Sequence, residues 1–154
     1  MPPSRFANPV IRPITIAEAL PLRHAVLWPD RPPSYVQLPD DDNGQHFGAF
    51  VPNSNPNPQI QHAELAGVIS LFIDDKGAAR FRKFATAPEW QGRGIGSVLL
   101  QSTIEAAKAA GAKSIWCDAR QETLTFYRRF GMDAEGDVFH KGGRPYLRMS
   151  LTLT

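Results

Sequence analysis

Apolar residues follow two different spacings along this chain, and the change from one to the other divides the sequence into elements. Four short runs near the start, residues 10–14, 46–51, 63–73 and 78–87, have the apolar composition of strands. The second and third runs are separated by PNSNPNPQ, whose prolines cannot continue a strand ladder, and the third and fourth by the turn sequence DDKG. The pattern therefore predicts a short edge strand followed by a three-stranded meander.

Between the first two runs the spacing changes to that of a helix. Thr15 and Glu18 form a capping box, in which each side chain satisfies an exposed amide at the start of a helix. This helix must end by Trp28, because a proline follows and disfavours helical geometry in the residue before it, and Pro21 is expected to bend it. Residues 29–45 are rich in proline and aspartate and predict a long loop with at most a short helix.

The longest helical pattern begins after Gln91, and Gly111 suits its C-terminal cap. The next segment, KSIWCDAR, is typical of a buried strand, and because a helix joins it to the strand before, the two strands should run parallel. A last short helix, ETLTFYRRF, ends at Gly131, and two strands near 136–140 and 146–151 complete the chain. The expected fold is α+β, with a mixed and mostly antiparallel sheet flanked by helices.

Composition bounds the class of protein. The chain has 154 residues, of which 42% are hydrophobic and 21% charged, as expected for a single domain over residues 1–154. Its 17 basic and 15 acidic residues are scattered, so it lacks the basic face that nucleic acid would require. We find neither a signal peptide nor an apolar run that could span a bilayer, so we expect a cytoplasmic protein with no membrane partner. The only cysteine, Cys117, favours burial over a nucleophilic role.

The segment EWQGRGIGSVLL places three glycines at the start of the long helix, where unpaired amides and a partial positive charge favour an anion. The phosphate loop of nucleotide hydrolases is excluded, because Gly96 is followed by Ser97 and Val98 rather than by lysine and serine or threonine. The dinucleotide fingerprint would need a third glycine at position 97 and an early place in the chain. A glycine-rich turn with no ligand remains open from these residues alone.

Gln91, Gly94 and Gly96 match the pattern Q/R-x-x-G-x-G/A, which resembles the acyl-CoA-binding signature of the GNAT superfamily of N-acetyltransferases. The segments ATAPEWQGRGIGSVLL and TFYRRFGM and the order of elements extend the resemblance over nearly the whole chain. LRHAVLWP and WCDAR resemble a bacterial subgroup with an LRxxVLxP first helix and a WCxAR strand. Met132 stands where the family usually has phenylalanine, and Thr86 where valine is frequent.

The resemblance implies a site for acetyl-CoA as cosubstrate. Backbone amides of the glycine-rich loop would hold its pyrophosphate, and the last residues of the preceding strand would pair with its pantetheine arm in a gap between splayed parallel strands. The cofactor-binding residues that this implies are Phe84, Ala85, Thr86, Gln91, Gly92, Arg93, Gly94, Ile95, Gly96 and Ser97. No metal is implied: Asp40–Asp42 lack the spacing of a calcium loop and read as a solvated turn.

The resemblance also implies direct attack of an amine on the thioester in a ternary complex, with Tyr127 matching the family's general acid. A phenol, whose ordinary pKa is about 10, stays protonated at neutral pH. The alternative is that Tyr127 is a core residue of the apolar stripe that it forms with Phe126 and Phe130.

No general base is evident, since the strand RFRKFAT lacks the glutamate that some relatives place there. His24, Asp118 and His140 remain as candidates, each better explained by a structural role, and Arg23 would face an acceptor or a carboxylate if it is not simply solvated.

Two functions follow: an acetyltransferase for an amine of a small molecule or peptide, or a non-catalytic acyl-CoA-binding or regulatory module. The sequence leaves open the acceptor, the length of the acyl group, and the choice between monomer and homodimer.

Overall fold

Seven strands form one hydrogen-bonded sheet in residues 8–52 and 64–153, the part of the chain that the structure, a computed structural model, describes. Their order across the sheet is β1-β2-β3-β4-β5-β7-β6. All seven predicted strands are confirmed, whereas the loop predicted between the second and third lies almost entirely outside the described residues. The strands are β1 Val10–Pro13, β2 Gln45–Val51, β3 Glu64–Ile73, β4 Ala78–Thr86, β5 Ser114–Arg120, β6 Asp133–Lys141 and β7 Arg144–Thr152.

Three α-helices accompany the strands in the described part of the chain: α1 Ile16–Leu22, α2 Ile95–Ala109 and α3 Leu124–Arg128. The predicted capping box starts α1: the Thr15 amide donates to the Glu18 carboxylate over 2.9 Å, and the Glu18 amide donates to the Thr15 hydroxyl over 3.2 Å.

After α1 the helix continues as a π-helical turn, Arg23–Leu27. Its C-cap is Trp28, so the helix ends where the sequence predicts. The proline-rich loop contains a 3₁₀ turn at Pro33–Val36 and a second at Asp41–Asn43. Proline at the first position of the Pro33–Val36 turn is compatible with its missing amide donor.

The described residues fall into two compact units. The first contains the chain up to Ser70 together with Lys83–Thr103, and its core is centred on Ile14, Phe50 and Val68. The second contains Leu71–Arg82 and the chain from Ile104 onwards. Its largest fully buried side chains are Leu71, Phe81, Ile115, Met132 and Met149. The prediction of one domain over residues 1–154 is not tested by this division and stays a prediction.

The predicted parallel pair is confirmed at the start of β4 and β5. Ala78 lies opposite Ser114 and Arg80 opposite Trp116, and this parallel register covers three of the nine residues of β4. The chain between the two strands forms α2, as a crossover between parallel neighbours requires.

The last two strands are longer than the sequence predicted, and β7 rather than β6 lies beside β5. Antiparallel pairing joins β5 to β7 from Ser114 opposite Thr152 to Arg120 opposite Tyr146. The register of β6 against β7 shifts between Glu135 and Phe139, where a bulge interrupts the ladder.

Candidate functional site

The loop between β4 and α2 has the backbone geometry that only glycine adopts readily. Gly92 has φ 76° and Gly94 has φ 84°, both in the left-handed region. Gly96 lies inside the first turn of α2. A side chain at Gly92 would meet no atom within 4 Å, so that face of the loop is open.

The side chain of Gln91 ties this loop back to β4. Its Nε2 donates to the backbone carbonyl of Thr86 over 3.0 Å. The Ala87 amide in turn donates to the carbonyl of Ala66 on β3 over 2.7 Å. The first residue of the glycine motif is therefore anchored to the end of the strand before it, and the loop is held in place before any ligand arrives.

The N-terminus of α2 can accept an anion. The first amides of an α-helix have no partner inside the helix, and α2 has no acidic residue in its first turn. Gln91, Gly92 and Arg93 are exposed, as is Ser97. Arg93 adds a guanidinium, which lies 4.9 Å from the centre of the Trp90 ring. Open backbone, free amides and a nearby cation fit a pyrophosphate.

The strand before the loop contains one strained residue. Lys83 has φ 55°, the only non-glycine residue with positive φ in the described chain. Such a conformation costs free energy in a residue with a side chain and concentrates at functional positions. It lies directly before Phe84, Ala85 and Thr86, of which Ala85 is buried and the other two half-buried.

Tyr127 lies on α3 with its ring buried among aromatic neighbours. The ring centre is 5.8 Å from that of Phe81 and 5.2 Å from that of Phe126, which in turn lies 5.2 Å from Phe130. The predicted apolar stripe of Phe126, Tyr127 and Phe130 is therefore confirmed. No described residue forms a hydrogen bond with the Tyr127 hydroxyl, although buried tyrosines usually have such a partner. Burial, together with the nearby Cys117, raises the pKa of the phenol, so it is neutral at physiological pH.

Cys117 is buried, as predicted. Burial and the adjacent Asp118 raise the pKa of its thiol, which keeps it protonated and unreactive.

Two of the three candidate bases are engaged by other groups, and the third is exposed. The Nε2 of His24 lies 2.7 Å from the carbonyl of Arg31 and holds the following loop. Burial raises the pKa of Asp118, but hydrogen bonds from Arg148 and Lys141 outweigh it, so the pKa lies below its usual value. His140 is exposed on β6.

Of the two alternatives for Arg23, the structure confirms that it faces a carboxylate and is not solvated, and the prediction of a solvated turn at Asp40–Asp42 is wrong for Asp41 but not for Asp40 and Asp42. Arg23 is completely buried and donates twice to the Asp41 carboxylate, over 2.9 and 2.8 Å, and to the carbonyl of Val36 over 3.0 Å. Asp41 is only 8% exposed and also accepts from the Leu38 amide. The physical reason is that a bidentate carboxylate satisfies a guanidinium well enough to bury both.

Two polar residues that sequence reasoning missed complete this network. Arg23 also donates to the Ser70 hydroxyl over 2.8 Å, and that hydroxyl lies 2.6 Å from Nδ1 of His46. The other ring nitrogen of His46 faces the carbonyl of Asp41 over 2.9 Å, so it donates, and in the neutral ring Nδ1 accepts from the Ser70 hydroxyl. Nothing in the spacing of these four residues indicates that they meet.

In residues 8–52 and 64–153 no group of three or more histidine, cysteine, aspartate or glutamate side chains could hold a metal ion. None of the described helices has the length and apolar character to cross a membrane.

Known structures share this arrangement of strands and helices. A Bacillus subtilis acetyltransferase solved in complex with CoA has a TM-score of 0.70, at 20% identity over 96% of this chain and 100% of that one. A GNAT family acetyltransferase from Elizabethkingia anophelis with acetyl-CoA bound has a TM-score of 0.69, at 19% identity over 95% of this chain and 99% of that one. The fold is therefore that of the acyl-CoA N-acyltransferases.

Sequence comparison carries the assignment from fold to family. The family profile of the acetyltransferase (GNAT) domain matches residues 58–153. A relative from Bacillus subtilis strain 168, described as the uncharacterized N-acetyltransferase YitI, is 21% identical over 131 residues, which are 84% of this chain and 85% of that protein. The chain belongs to the GNAT acetyltransferase family.

Proposed function

We propose that this protein transfers the acetyl group of acetyl-CoA to an amine of a small molecule or peptide by direct attack in a ternary complex. The observation that carries the proposal is the loop before α2, where two left-handed glycines and the Gln91 anchor hold open amides at the start of a 15-residue helix. CoA and acetyl-CoA in the two structural neighbours support the choice of ligand. The LRxxVLxP and WCxAR segments support our further proposal that the chain belongs to a bacterial subgroup of the family.

The cofactor would be held by this chain's backbone more than by its side chains. We assign the amides of the loop from Gln91 to Ser97 to the pyrophosphate, since a helix N-terminus stabilises negative charge there. The backbone of Phe84, Ala85 and Thr86 would pair with the pantetheine arm as an added strand does. When bound, acetyl-CoA supplies the activated acetyl group and a thiolate leaving group.

Tyr127 is the proposed general acid. Its phenol is protonated at neutral pH, and its hydroxyl has no hydrogen-bond partner among the described residues, so it can donate to the leaving sulfur. Of the three candidate bases, His24 belongs to the other unit, Asp118 is held by three cations, and His140 is exposed on β6. Water is therefore assigned the removal of the amine proton. The non-catalytic alternative predicts acetyl-CoA binding without turnover.

Thermal unfolding in the presence of acetyl-CoA tests the cofactor site. A ligand that binds only the folded state raises the melting temperature, increasingly above its dissociation constant. The rise should be larger than with dephosphorylated pantetheine, which lacks the groups that the loop amides would bind. Equal shifts with the two compounds would contradict the proposed pyrophosphate site.

Gly94→Val should abolish acetyl-CoA binding in a protein that still folds, because a branched side chain would fill the space of the phosphate. Gly111→Val is the matched control. Gly111 has the same φ of 84° as Gly94 and lies beyond α2, so both variants carry similar backbone strain and only one alters the loop. Calorimetry that shows equal affinities for the two variants would eliminate the loop as the binding site.

Tyr127→Phe should keep acetyl-CoA affinity and lower turnover by about 10²- to 10⁴-fold, the range for loss of a positioned general acid. Phenylalanine preserves the buried ring, so stability should change little. Release of CoA thiol is to be measured with both fast and slow amine acceptors. Turnover at the wild-type rate across acceptors and pH would assign Tyr127 to the core and leave proton delivery to water.

A further inference from the structure

Asp118 on β5 is surrounded by three cations from three other strands. Its Oδ1 accepts from Nε of Arg148 over 3.0 Å, and its Oδ2 lies 3.1 Å from Nη2 of Arg80 and 3.2 Å from Nζ of Lys141. The Asp118 side chain is 5% exposed, whereas those of Lys141 and Arg148 are 43% and 44% exposed. A nearly buried carboxylate thus underlies cations that reach solvent.

The sheet register explains why these residues meet. Arg80 lies directly opposite Trp116, and Asp118 directly opposite Arg148. Residues two apart on a strand share a face, so Trp116 and Asp118 lie on the same face of the sheet. Their directly opposite neighbours, Arg80 and Arg148, lie on that face as well.

Aromatic rings hold the cations in place. The guanidinium carbons of Arg80 and Arg148 lie 4.3 and 4.0 Å from the centre of the Trp116 ring. The Lys141 ammonium lies 5.7 Å from the centre of the Phe139 ring, and Phe139 stacks on Tyr146 at 6.0 Å. Cation–π contacts of this kind restrict long side chains that would otherwise be mobile. The cations are therefore pre-organised.

The cluster carries more positive charge than its own carboxylate balances. Three cations share the Asp118 carboxylate, so this carboxylate alone does not neutralise Lys141 and Arg148. Arg148 uses only its Nε for Asp118, and no described residue forms a hydrogen bond with its two terminal nitrogens. A guanidinium presents those nitrogens as a planar fork that matches a carboxylate.

An open groove of about 390 Å³ lies at Arg148. It is lined by Glu135, Gly136, Asp137, Phe139 and Arg148, and it coincides with the bulge that interrupts the pairing of β6 with β7. Bulges are frequent next to binding sites because they turn side chains away from the regular ladder. A small ligand can therefore reach the fork of Arg148.

We infer that Arg148, positioned by Asp118 and Trp116, binds the carboxylate of a small ligand in this groove, while Lys141 adds positive charge at the same Asp118. A carboxylate carries a single charge and is planar, so it fits the fork. A phosphate dianion fits the same groove less well, because Glu135 and Asp137 line it and would repel a second negative charge.

The inferred ligand is an amine that also carries a carboxylate, as in an amino acid or a peptide with a free C-terminus, and, resting on the proposed function, this ligand is the candidate acceptor that the second experiment tests. Glu135 and Asp137 give the groove an acidic side that tolerates the ammonium form of such a molecule. One ligand would thus satisfy both the cationic and the acidic parts of the groove.

Binding is tested first, without acetyl-CoA. Free L-amino acids and their carboxamides are titrated into the full-length protein and followed by calorimetry or by NMR of the arginine side chains. The acids should bind about 10- to 100-fold more tightly than the carboxamides, the range for a charge-assisted hydrogen bond, and less tightly as salt increases. Inorganic phosphate is the competing probe and should bind more weakly than the best acid.

Arg148→Met should remove the preference for acids while leaving the carboxamides unaffected. Arg148→Lys keeps the charge without the fork and should retain part of the preference. Lys108→Gln is the control for simple loss of charge, since Lys108 is paired with Glu105 on α2. Circular dichroism of each variant establishes that it is folded.

Acetyl transfer is tested second, with rates expressed per neutral amine because the acids and carboxamides differ in amine pKa. Wild-type kcat/KM should favour the acids about 10- to 100-fold, mainly through KM, and Arg148→Met should abolish the difference. Acids that bind in an Arg148-dependent way without any transfer would leave the carboxylate site intact and remove the acceptor assignment, whereas absence of transfer to every amine of a wider panel would contradict the proposed function. Equal binding of acids and carboxamides, tighter binding of phosphate, or no acid binding at millimolar concentration would overturn the site.

Discussion

Two clusters in this protein combine arginine with aspartate, and they differ in charge balance and exposure. Around Asp41, one fully buried guanidinium meets one carboxylate, and Val36, Ser70 and His46 supply further hydrogen bonds, so that only the Nε of Arg23 lacks a partner among the described residues. Around Asp118, three cations share one carboxylate, and two of them are more than two-fifths exposed. The first cluster is closed, and the second has donors to spare.

The difference shows that an Arg–Asp ion pair does not have the same role at every site. A balanced, buried pair fixes the fold, because the loss of either member leaves a charge without a partner away from water. An unbalanced pair at the surface contributes little to stability and presents charge to solvent or to a ligand. Burial and stoichiometry together decide which role an ion pair has.

The largest expected effect is that of Arg23→Met, which should lower the free energy of unfolding by about 3–5 kcal/mol, since Asp41 would be left buried and charged. Arg23→Met combined with Asp41→Asn should recover part of this loss, because the amide oxygen of asparagine still accepts from the Leu38 amide. Urea unfolding at neutral pH measures both. A loss below about 1 kcal/mol for the single variant would mean that water reaches the network.

An intermediate effect is expected from acid. Burial raises the pKa of Asp41, but hydrogen bonds from Arg23 and Leu38 outweigh it, and the folded pKa lies below the usual value. This contribution to stability is therefore complete above the unfolded pKa of about 3.9 and is lost as the pH falls through the lower folded pKa. The free energy of unfolding of wild-type protein should fall more steeply below about pH 4 than that of Asp41→Asn.

Added salt should distinguish the stability contributions of the two clusters in the same unfolding experiment. Asp118 also has a lowered pKa, so Asp118→Asn should flatten the acid profile as well. Two of its three partners are exposed, so about 0.5 M salt should reduce the contribution of Asp118 and spare that of Asp41. Equal salt dependence of the two contributions would contradict the contrast between a closed and an open cluster.

The smallest expected effect on stability is that of Arg148→Met, at about 0.2–1 kcal/mol. Asp118 keeps Arg80 and Lys141 as partners, and Arg148 is 44% exposed, so no buried charge is left alone. Urea unfolding beside Arg23→Met provides the direct comparison. A loss as large as that of Arg23→Met would assign Arg148 to the structural frame of the sheet.

Local signals made most of the fold predictable from sequence. The capping box at Thr15 located the start of α1, and Gly111 located the end of α2, because both depend on residues close in the chain. The glycine motif predicted a loop before α2, and the left-handed conformations of Gly92 and Gly94 agree with it. Tyr127 and the cofactor-binding residues stay predictions.

Long-range pairing was not predictable. The insertion of β7 between β5 and β6 depends on which faces of three strands complement one another, and hydrophobic spacing within each strand is the same for either order. Arg23 and Ser70 are 47 residues apart, and Arg80 and Asp118 are 38 apart, so neither network leaves a spacing pattern. The left-handed backbone conformation of Lys83 was not predictable either, because a lysine in the sequence does not indicate a positive φ.

The single thiol provides a chemical probe of how often the region around it opens to solvent. Cys117 is 3% exposed, and with no second cysteine in the sequence a labelling reagent has one target. Modification must wait until the β5 region opens, so under conditions where reclosing is slow the labelling rate equals the opening rate, and otherwise it reports the opening equilibrium. Mass spectrometry at a series of reagent concentrations would distinguish these regimes and time the opening of β5.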